Sequence, residues 1–207
     1  MDLDQLCQSA PNAKTRLVLL HGWGADASDL FPLGRVLCEE IDRPVELIAL
    51  HAPQLQTQGT GRQWYGLFPP DWSAVPAAIA DLKQRIIAVA SREIPLEATA
   101  ILGFSQGGAM ALGAGCELPL AGIVACSGYP HPRWEAPVNR PPVLLLHGKR
   151  DEVVPHSAAL ALREQLSKGT QPCKLFSFEE GHTISNEAQA EIRTILKVWL
   201  AQPEHKP

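Results

Sequence analysis

At 207 residues the chain is long enough to bury one substantial hydrophobic core and short for two, so a single domain over 1–207 is expected. With 45% hydrophobic and 19% charged residues it has the composition of a folded globular protein, which excludes a disordered one. The formal net charge of -4, without a cluster of Lys or Arg, speaks against a nucleic-acid partner.

The amino terminus, Met1-Asp2-Leu3-Asp4, is acidic, and no apolar stretch precedes Pro11, so no signal peptide is expected. No apolar run is long enough to span a bilayer. Cys7, Cys38, Cys116, Cys126 and Cys173 are odd in number and form no C-x-x-C pair. They read as buried free thiols of a reducing compartment, and a cytoplasmic protein is expected.

Leu17-Val18-Leu19-Leu20 is a continuous apolar run, as in a strand covered on both faces. It ends in the glycine-punctuated loop His21-Gly22-Trp23-Gly24. Ser28 or Asp29 then caps a helix with Leu30, Leu33, Leu37 and Ile41 on its apolar face. Val45 to Leu50 is a second buried strand. The segment from Gln54 to Ser73 has no clear period and carries Trp64, Tyr65, Phe68 and, at its close, Trp72. A long irregular loop of this kind is usually functional. Pro76 sits in the first turn of the next helix, whose face is Val75, Ile79, Leu82, Ile86 and Val89. Further strands are expected at Ala98 to Phe104, Ala121 to Cys126, Val143 to Leu146 and, edge-like, Lys174 to Phe178. A helix from Pro155 to about Lys168 and a last one marked by Ile184, Ala188, Ile192, Ile195 and Trp199 complete the alternation. Strands alternating with helices predict an α/β protein with a doubly wound, mostly parallel sheet and helices on both faces. Ligands bind such sheets beyond the carboxyl ends of the strands. The loops after Leu20, Phe104, Leu146 and Phe178 all fall there.

One of those loops carries chemistry. Gly103-Phe104-Ser105-Gln106-Gly107 fits the G-x-S-x-G nucleophile elbow, between an apolar strand and a helix start. A tight turn thrusts the serine oxygen clear of the backbone, and side chains two positions before or after it would clash. The competing reading is a glycine-rich turn with an idle serine. A neutral hydroxyl needs a base, and the imidazole needs a carboxylate to hold its tautomer. On this fold the expected chain order is Ser, then acid, then His. His182 follows the last strand, whereas His205 lies in the tail and His156 comes too soon after Asp151. Asp151 is favoured over its neighbour Glu152, whose longer side chain would lose more rotamer freedom. His21 and His147 end strands and are expected to tie loops to the backbone. His51 and His131 are read as structural or exposed. The backbone N–H groups of Gln106 and Trp23 are the expected oxyanion donors. No metal-binding spacing is present, so neither metal nor cofactor is expected.

These segments, Leu20-His21-Gly22-Trp23-Gly24, Trp64-Tyr65, Gly103-Phe104-Ser105-Gln106-Gly107-Gly108, His147-Gly148-Lys149-Arg150-Asp151 with Val154-Pro155, and Gly181-His182, resemble in order the phospholipase/carboxylesterase family of α/β-hydrolases, which includes the acyl-protein thioesterases. The resemblance implies a compact serine esterase without a large lid domain, with Ser105, Asp151 and His182 as its triad. It implies a small-molecule ester or thioester substrate, and esters of short-to-medium acyl chains are expected first. An acyl-protein thioesterase, a lysophospholipase and a non-catalytic scaffold binding a hydrophobic ligand are the alternatives. The chain departs from the family at Trp23, where leucine is commoner, at Ala25, which displaces the loop's aspartate to Asp26, and at Gly66. Trp23, Trp64, Tyr65 and Phe68 are expected to line the acyl groove, against the alternative of plain core packing. The oligomeric state is left open, a homo-oligomer included.

Overall fold

The computed structural model describes residues 5–56 and 59–201. His205 and the first four residues lie outside them. Among the described residues the strands are β1 (Gln5–Gln8), β2 (Thr15–Leu20), β3 (Val45–Leu50), β4 (Gln54–Leu55), β5 (Arg62–Gln63), β6 (Thr99–Phe104), β7 (Gly122–Cys126), β8 (Val143–Gly148) and β9 (Cys173–Phe178). The helices are α1 (Ala27–Glu39), α2 (Val75–Ala88), α3 (Gln106–Gly115), α4 (His156–Leu166) and α5 (Asn186–Trp199).

Seven strands form one sheet in the order β1-β3-β2-β6-β7-β8-β9, while β4 and β5 make a separate two-stranded hairpin. All neighbours in the large sheet are parallel except β1, which runs antiparallel to β3. The continuous apolar runs are explained by the two covered faces. Val18, Leu20, Ile48, Ile101, Ile123 and Leu145 pack under α2, α3 and α4 in one core. The intervening Leu17, Leu19, Leu47, Leu102, Val124 and Leu144 pack under α1 and α5 in the other. A period of two along each strand thus serves two cores at once, so the strand centres are apolar on both faces and buried polar residues such as Thr15, Arg16 and Thr99 stand at strand starts. No large lid domain is present among the described residues.

The chain leaves β2 for β3 on one side and then returns past β2 to β6 on the other. The carboxyl ends of β2 and β6 therefore flank the topological switch point, where such sheets leave a crevice for ligand. Their register sets Leu20 beside Gly103, so His21-Gly22-Trp23 emerges next to the Phe104-Ser105 turn.

Two local expectations need correction. The edge strand β1 was not anticipated: it is four residues with one leucine, and its half-exposed pattern has too little hydrophobic contrast to be seen. The cap of α1 is Asp26, rather than Ser28 or Asp29. Its backbone is extended (φ -145°), and its carboxylate accepts hydrogen bonds from the Ser28 N–H at 2.7 Å and the Ser28 hydroxyl at 2.6 Å. The cysteines also divide: Cys116 and Cys126 are buried, Cys38 and Cys173 half-buried, and Cys7 exposed, all of them free.

The Asp26 cap yields a prediction. Replacing Asp26 by Ala should destabilise the fold by about 1 kcal/mol at neutral pH, the usual loss for an amino-terminal cap. The Ser28 hydrogen bonds hold the Asp26 carboxyl below its ordinary pKa. Its contribution is therefore complete above the unfolded value and lost as pH falls through the folded one. Urea unfolding of parent and Asp26→Ala should show a gap at pH 7 that closes in acid.

Candidate active site

Ser105 stands between β6 and α3 with φ +55° and ψ -117°, a strained conformation for any residue but glycine. Its neighbours make the turn sterically feasible. A Cβ on Gly103 would lie 2.1 Å from the carbonyl oxygen of Gly107, and one on Gly107 would lie 2.1 Å from that of Leu20. The Ser105 N–H donates to the carbonyl of Cys126 at 2.8 Å, which fastens the turn to β7.

The outgoing loops of β8 and β9 bring the other two groups together. The Lys149 N–H donates to the Phe178 carbonyl at 2.7 Å and the Arg150 N–H to the Glu180 carbonyl at 3.1 Å. Gly148 lies so close beneath that a Cβ there would come within 2.3 Å of the carbonyl oxygens of Glu180 and Gly181. His182 Nδ1 is 2.7 Å from Asp151 Oδ2, and His182 Nε2 is 3.0 Å from Ser105 Oγ. The phenyl ring of Phe104 packs on the imidazole, with centroids 4.8 Å apart.

The Asp151 side chain is fully buried. Burial alone would raise its pKa, but the hydrogen bonds from His182 and the Val154 N–H outweigh it and hold the carboxyl below the usual range. Asp151 Oδ1 accepts from the N–H groups of Val153 and Val154 at 3.0 and 2.8 Å, leaving Oδ2 aimed at His182. This carboxylate stays ionised without solvent, and an Nδ1–H is the natural partner for it. Glu152, the alternative acid, is exposed and has no hydrogen bond to His182 among the described residues.

The remaining histidines have other partners. His147 Nε2 is 2.8 Å from the Val154 carbonyl and 3.5 Å from Asp151 Oδ2, so it braces the Asp151 loop. His21 Nδ1 is 2.7 Å from the Gly22 carbonyl. His51 Nδ1 accepts from the Ala27 N–H, and His156 Nε2 meets the Ser177 hydroxyl. His131, buried, meets the Tyr65 hydroxyl at 3.0 Å, and burial pushes its pKa down to about 4. Among the described residues no group of three or more His, Cys, Asp or Glu could hold a metal ion.

Trp23 lies on the loop after β2 and Gln106 begins α3. Among the described residues, no acceptor meets the backbone N–H of either. Gln106 follows the serine directly, at a helix amino terminus where partial positive charge accumulates, and Gly22, the residue before Trp23, lies against Ser105, a Cβ there coming 3.4 Å from the Ser105 Cβ.

The four aromatics expected to share one groove separate. Trp64 and Tyr65 are core residues, 1% and 0% exposed, and the polar atom of each side chain has an internal partner. The Trp64 indole N–H donates to the His21 carbonyl at 2.9 Å, and the Tyr65 hydroxyl meets that of Tyr129 at 2.6 Å. Neither offers a wall to solvent, and the packing alternative describes both. Trp23 and Phe68 do reach the surface, 38% and 73% exposed, with rings edge-to-face at 4.9 Å. Sequence reasoning missed Phe104 as the imidazole's platform, although it occupies the variable place before the serine. It also missed the Gln106 side chain, whose Oε1 accepts from the Trp64 N–H and whose Nε2 donates to the Tyr65 carbonyl. No local pattern signals either contact. Two clefts, of about 830 and 870 Å³, open elsewhere, and neither is lined by Ser105, Asp151 or His182.

A mostly parallel sheet with helices on both faces and a serine on the strand-to-helix turn at its switch point defines an α/β-hydrolase. Residues 4–200 match the family described as Phospholipase/Carboxylesterase, and the chain belongs to that family. It is 31% identical over 179 residues to acyl-protein thioesterase 1 of Neurospora crassa, an alignment covering 72% of this chain and 68% of that protein. The crystal structure of esterase PE8 superposes with a TM-score of 0.87 at 28% identity, covering 97% of this chain and 100% of that one. Acyl-protein thioesterase 2 of Zea mays shares the fold, with a TM-score of 0.74 at 22% identity over 95% of this chain and 98% of that one. The chain is a serine hydrolase of the carboxylic-ester class. Among the described residues no helix is long and apolar enough to cross a membrane.

The elbow's steric closure is testable. Gly103→Ala must displace the Gly107 peptide, and a shift of about 1 Å in a reacting group costs on the order of a hundredfold. The variant should lose at least that much kcat in ester hydrolysis and melt below the parent. Parental kcat would show that the turn tolerates the methyl group.

Proposed function

We propose that the chain is a single-domain carboxylesterase in which Ser105 is the nucleophile, His182 the general base and Asp151 the group that orients and stabilises the imidazolium. The observation that carries this reading is the unbroken hydrogen-bonded line from Ser105 Oγ through both nitrogens of His182 to the buried Asp151 carboxylate. With Nδ1–H donated to Asp151, Nε2 is free to take the serine proton. Ser105 Oγ then adds to the ester carbonyl, and the N–H groups of Trp23 and Gln106 receive the oxyanion. Collapse of the tetrahedral intermediate expels the alcohol, protonated by His182. A water attacks the acyl-enzyme by the same route in reverse and releases the acid.

For the acyl group, we infer short-to-medium chains lying against the exposed faces of Trp23 and Phe68, whose rings meet edge-to-face. The bulk of Trp23 beside the nucleophile favours a limited acyl length. A thioester substrate is the second reading, favoured by the identity with the Neurospora crassa protein named acyl-protein thioesterase 1. Five free cysteines support a cytoplasmic setting.

Steady-state hydrolysis of p-nitrophenyl esters from acetate to palmitate tests this. An optimum at short or medium length is expected, declining toward palmitate. Ser105→Ala should lower kcat by about a millionfold and Asp151→Asn by about ten thousandfold, as in other Ser-His-Asp hydrolases. Phe68→Ala should cost about tenfold in kcat/KM on the longer esters and leave acetate unchanged. Undiminished turnover by Ser105→Ala would refute the assignment, and a uniform loss in Phe68→Ala would refute the acyl wall.

A further inference from the structure

The two candidate oxyanion donors belong to different strand ends, Trp23 after β2 and Gln106 after β6. Both N–H groups must aim at one point to be of use. What aims them lies one layer beneath.

The peptide joining Gly22 to Trp23 is trans, since the sole cis bond among the described residues is Phe68-Pro69. In a planar trans peptide the C=O and the N–H point in opposite directions. Fixing the Gly22 oxygen therefore fixes the direction of the Trp23 N–H. His21 Nδ1 holds that oxygen at 2.7 Å. The ring must carry its proton on Nδ1 to do so. The Ala52 N–H, 3.0 Å from Nε2, enforces this, because a backbone N–H can only donate. The ring is 1% exposed, and burial, against the opposing pull of the Gly22 carbonyl, lowers its pKa to about 4. The neutral imidazole with Nδ1–H is thus the form present near neutral pH.

A second set of contacts joins the preceding peptide, His21–Gly22, to the other donor residue. The Trp64 indole N–H donates to the His21 carbonyl at 2.9 Å, and the Trp64 backbone N–H donates to Gln106 Oε1 at 3.1 Å. Gln106 Nε2 in turn holds the Tyr65 carbonyl at 2.9 Å. Trp64 is 1% and Gln106 0% exposed, so the path between the two donor residues runs wholly through the interior.

We propose that His21 and Trp64 are positioning residues of the oxyanion hole: His21 aims the Trp23 N–H, and Trp64 sets its separation from the Gln106 N–H. Neither touches the reacting atoms. The inference rests on the reading of Ser105, His182 and Asp151 as a serine esterase with Trp23 and Gln106 as donors. Oxyanion hydrogen bonds strengthen only as the carbonyl becomes tetrahedral. Misaiming a donor therefore lowers kcat and the affinity for a tetrahedral mimic, and leaves KM alone.

The test measures kcat, KM and inhibition by phenylboronic acid, whose trigonal boron accepts the serine oxygen to form a tetrahedral adduct. Trp64→Phe keeps a ring and deletes the indole donor. It should lower kcat about tenfold and weaken boronate inhibition by the same factor, with KM within about twofold. His21→Ala should cost about a hundredfold in both, and His21→Asn, which keeps a donor near the Nδ1 position, should recover part of it. Trp64→Phe carries the test where His21→Ala does not fold. Variants that melt lower yet keep parental kcat and boronate affinity would overturn the proposal and leave these residues as core packing. Boronate inhibition that persists in Ser105→Ala would instead remove the serine-esterase reading beneath it.

Discussion

The missing side chain at Gly107 is the constraint on which the rest of the site depends. The first turn of α3 rides against the end of β2, at a distance where a methyl group would overlap the Leu20 carbonyl oxygen. That approach brings a helix amino terminus, the Ser105 hydroxyl and the loop after β2 to one place. It is possible because Gly103, on the other side of the turn, also lacks a Cβ and admits the Gly107 carbonyl. The backbone strain at Ser105 persists because the neighbouring strand and helix, both buried, leave the turn no other path.

A second consequence of burial is that polar groups around the serine have few choices of partner. The Asp151 side chain has no contact with solvent, and its two oxygens are divided between backbone N–H groups and His182. The side-chain polar atoms of His21 and Trp64 are likewise all satisfied internally, and their bonds link one strand end to another. Rigid partners beneath a surface site are what electrostatic stabilisation of a transient charge needs, because little is left to reorganise when that charge appears. The stitching of the β8 and β9 loops serves the same end for Asp151 and His182. The exposed Lys149–Glu179 ion pair over those loops adds little beside the buried backbone bonds.

The sheet was legible because each central strand is covered on both faces, and a run such as Leu17-Val18-Leu19-Leu20 has no polar reading. β1 was illegible for the opposite reason, an edge strand of mixed residues whose strand partner is β3 on one side only. Ser105, Asp151 and His182 could be chosen by chain order and loop position, since the fold sends their loops to the same end of the sheet. The aromatics of the 54–73 stretch could not be sorted by type. Trp64 is inside with the His21 carbonyl within reach of its indole N–H, while Phe68 is outside with its ring edge-on to that of Trp23. Such a difference depends on contacts forty or more positions away, beyond any local pattern.

The central claim is that Ser105 is an activated nucleophile, made so by His182. Treating the protein with a fluorophosphonate and mapping the adduct by mass spectrometry tests it most directly. Phosphonylation at Ser105 at a stoichiometry near one, and its loss in His182→Ala, is the predicted result. An unmodified Ser105 in folded protein, or equal labelling with and without the imidazole, would contradict the account.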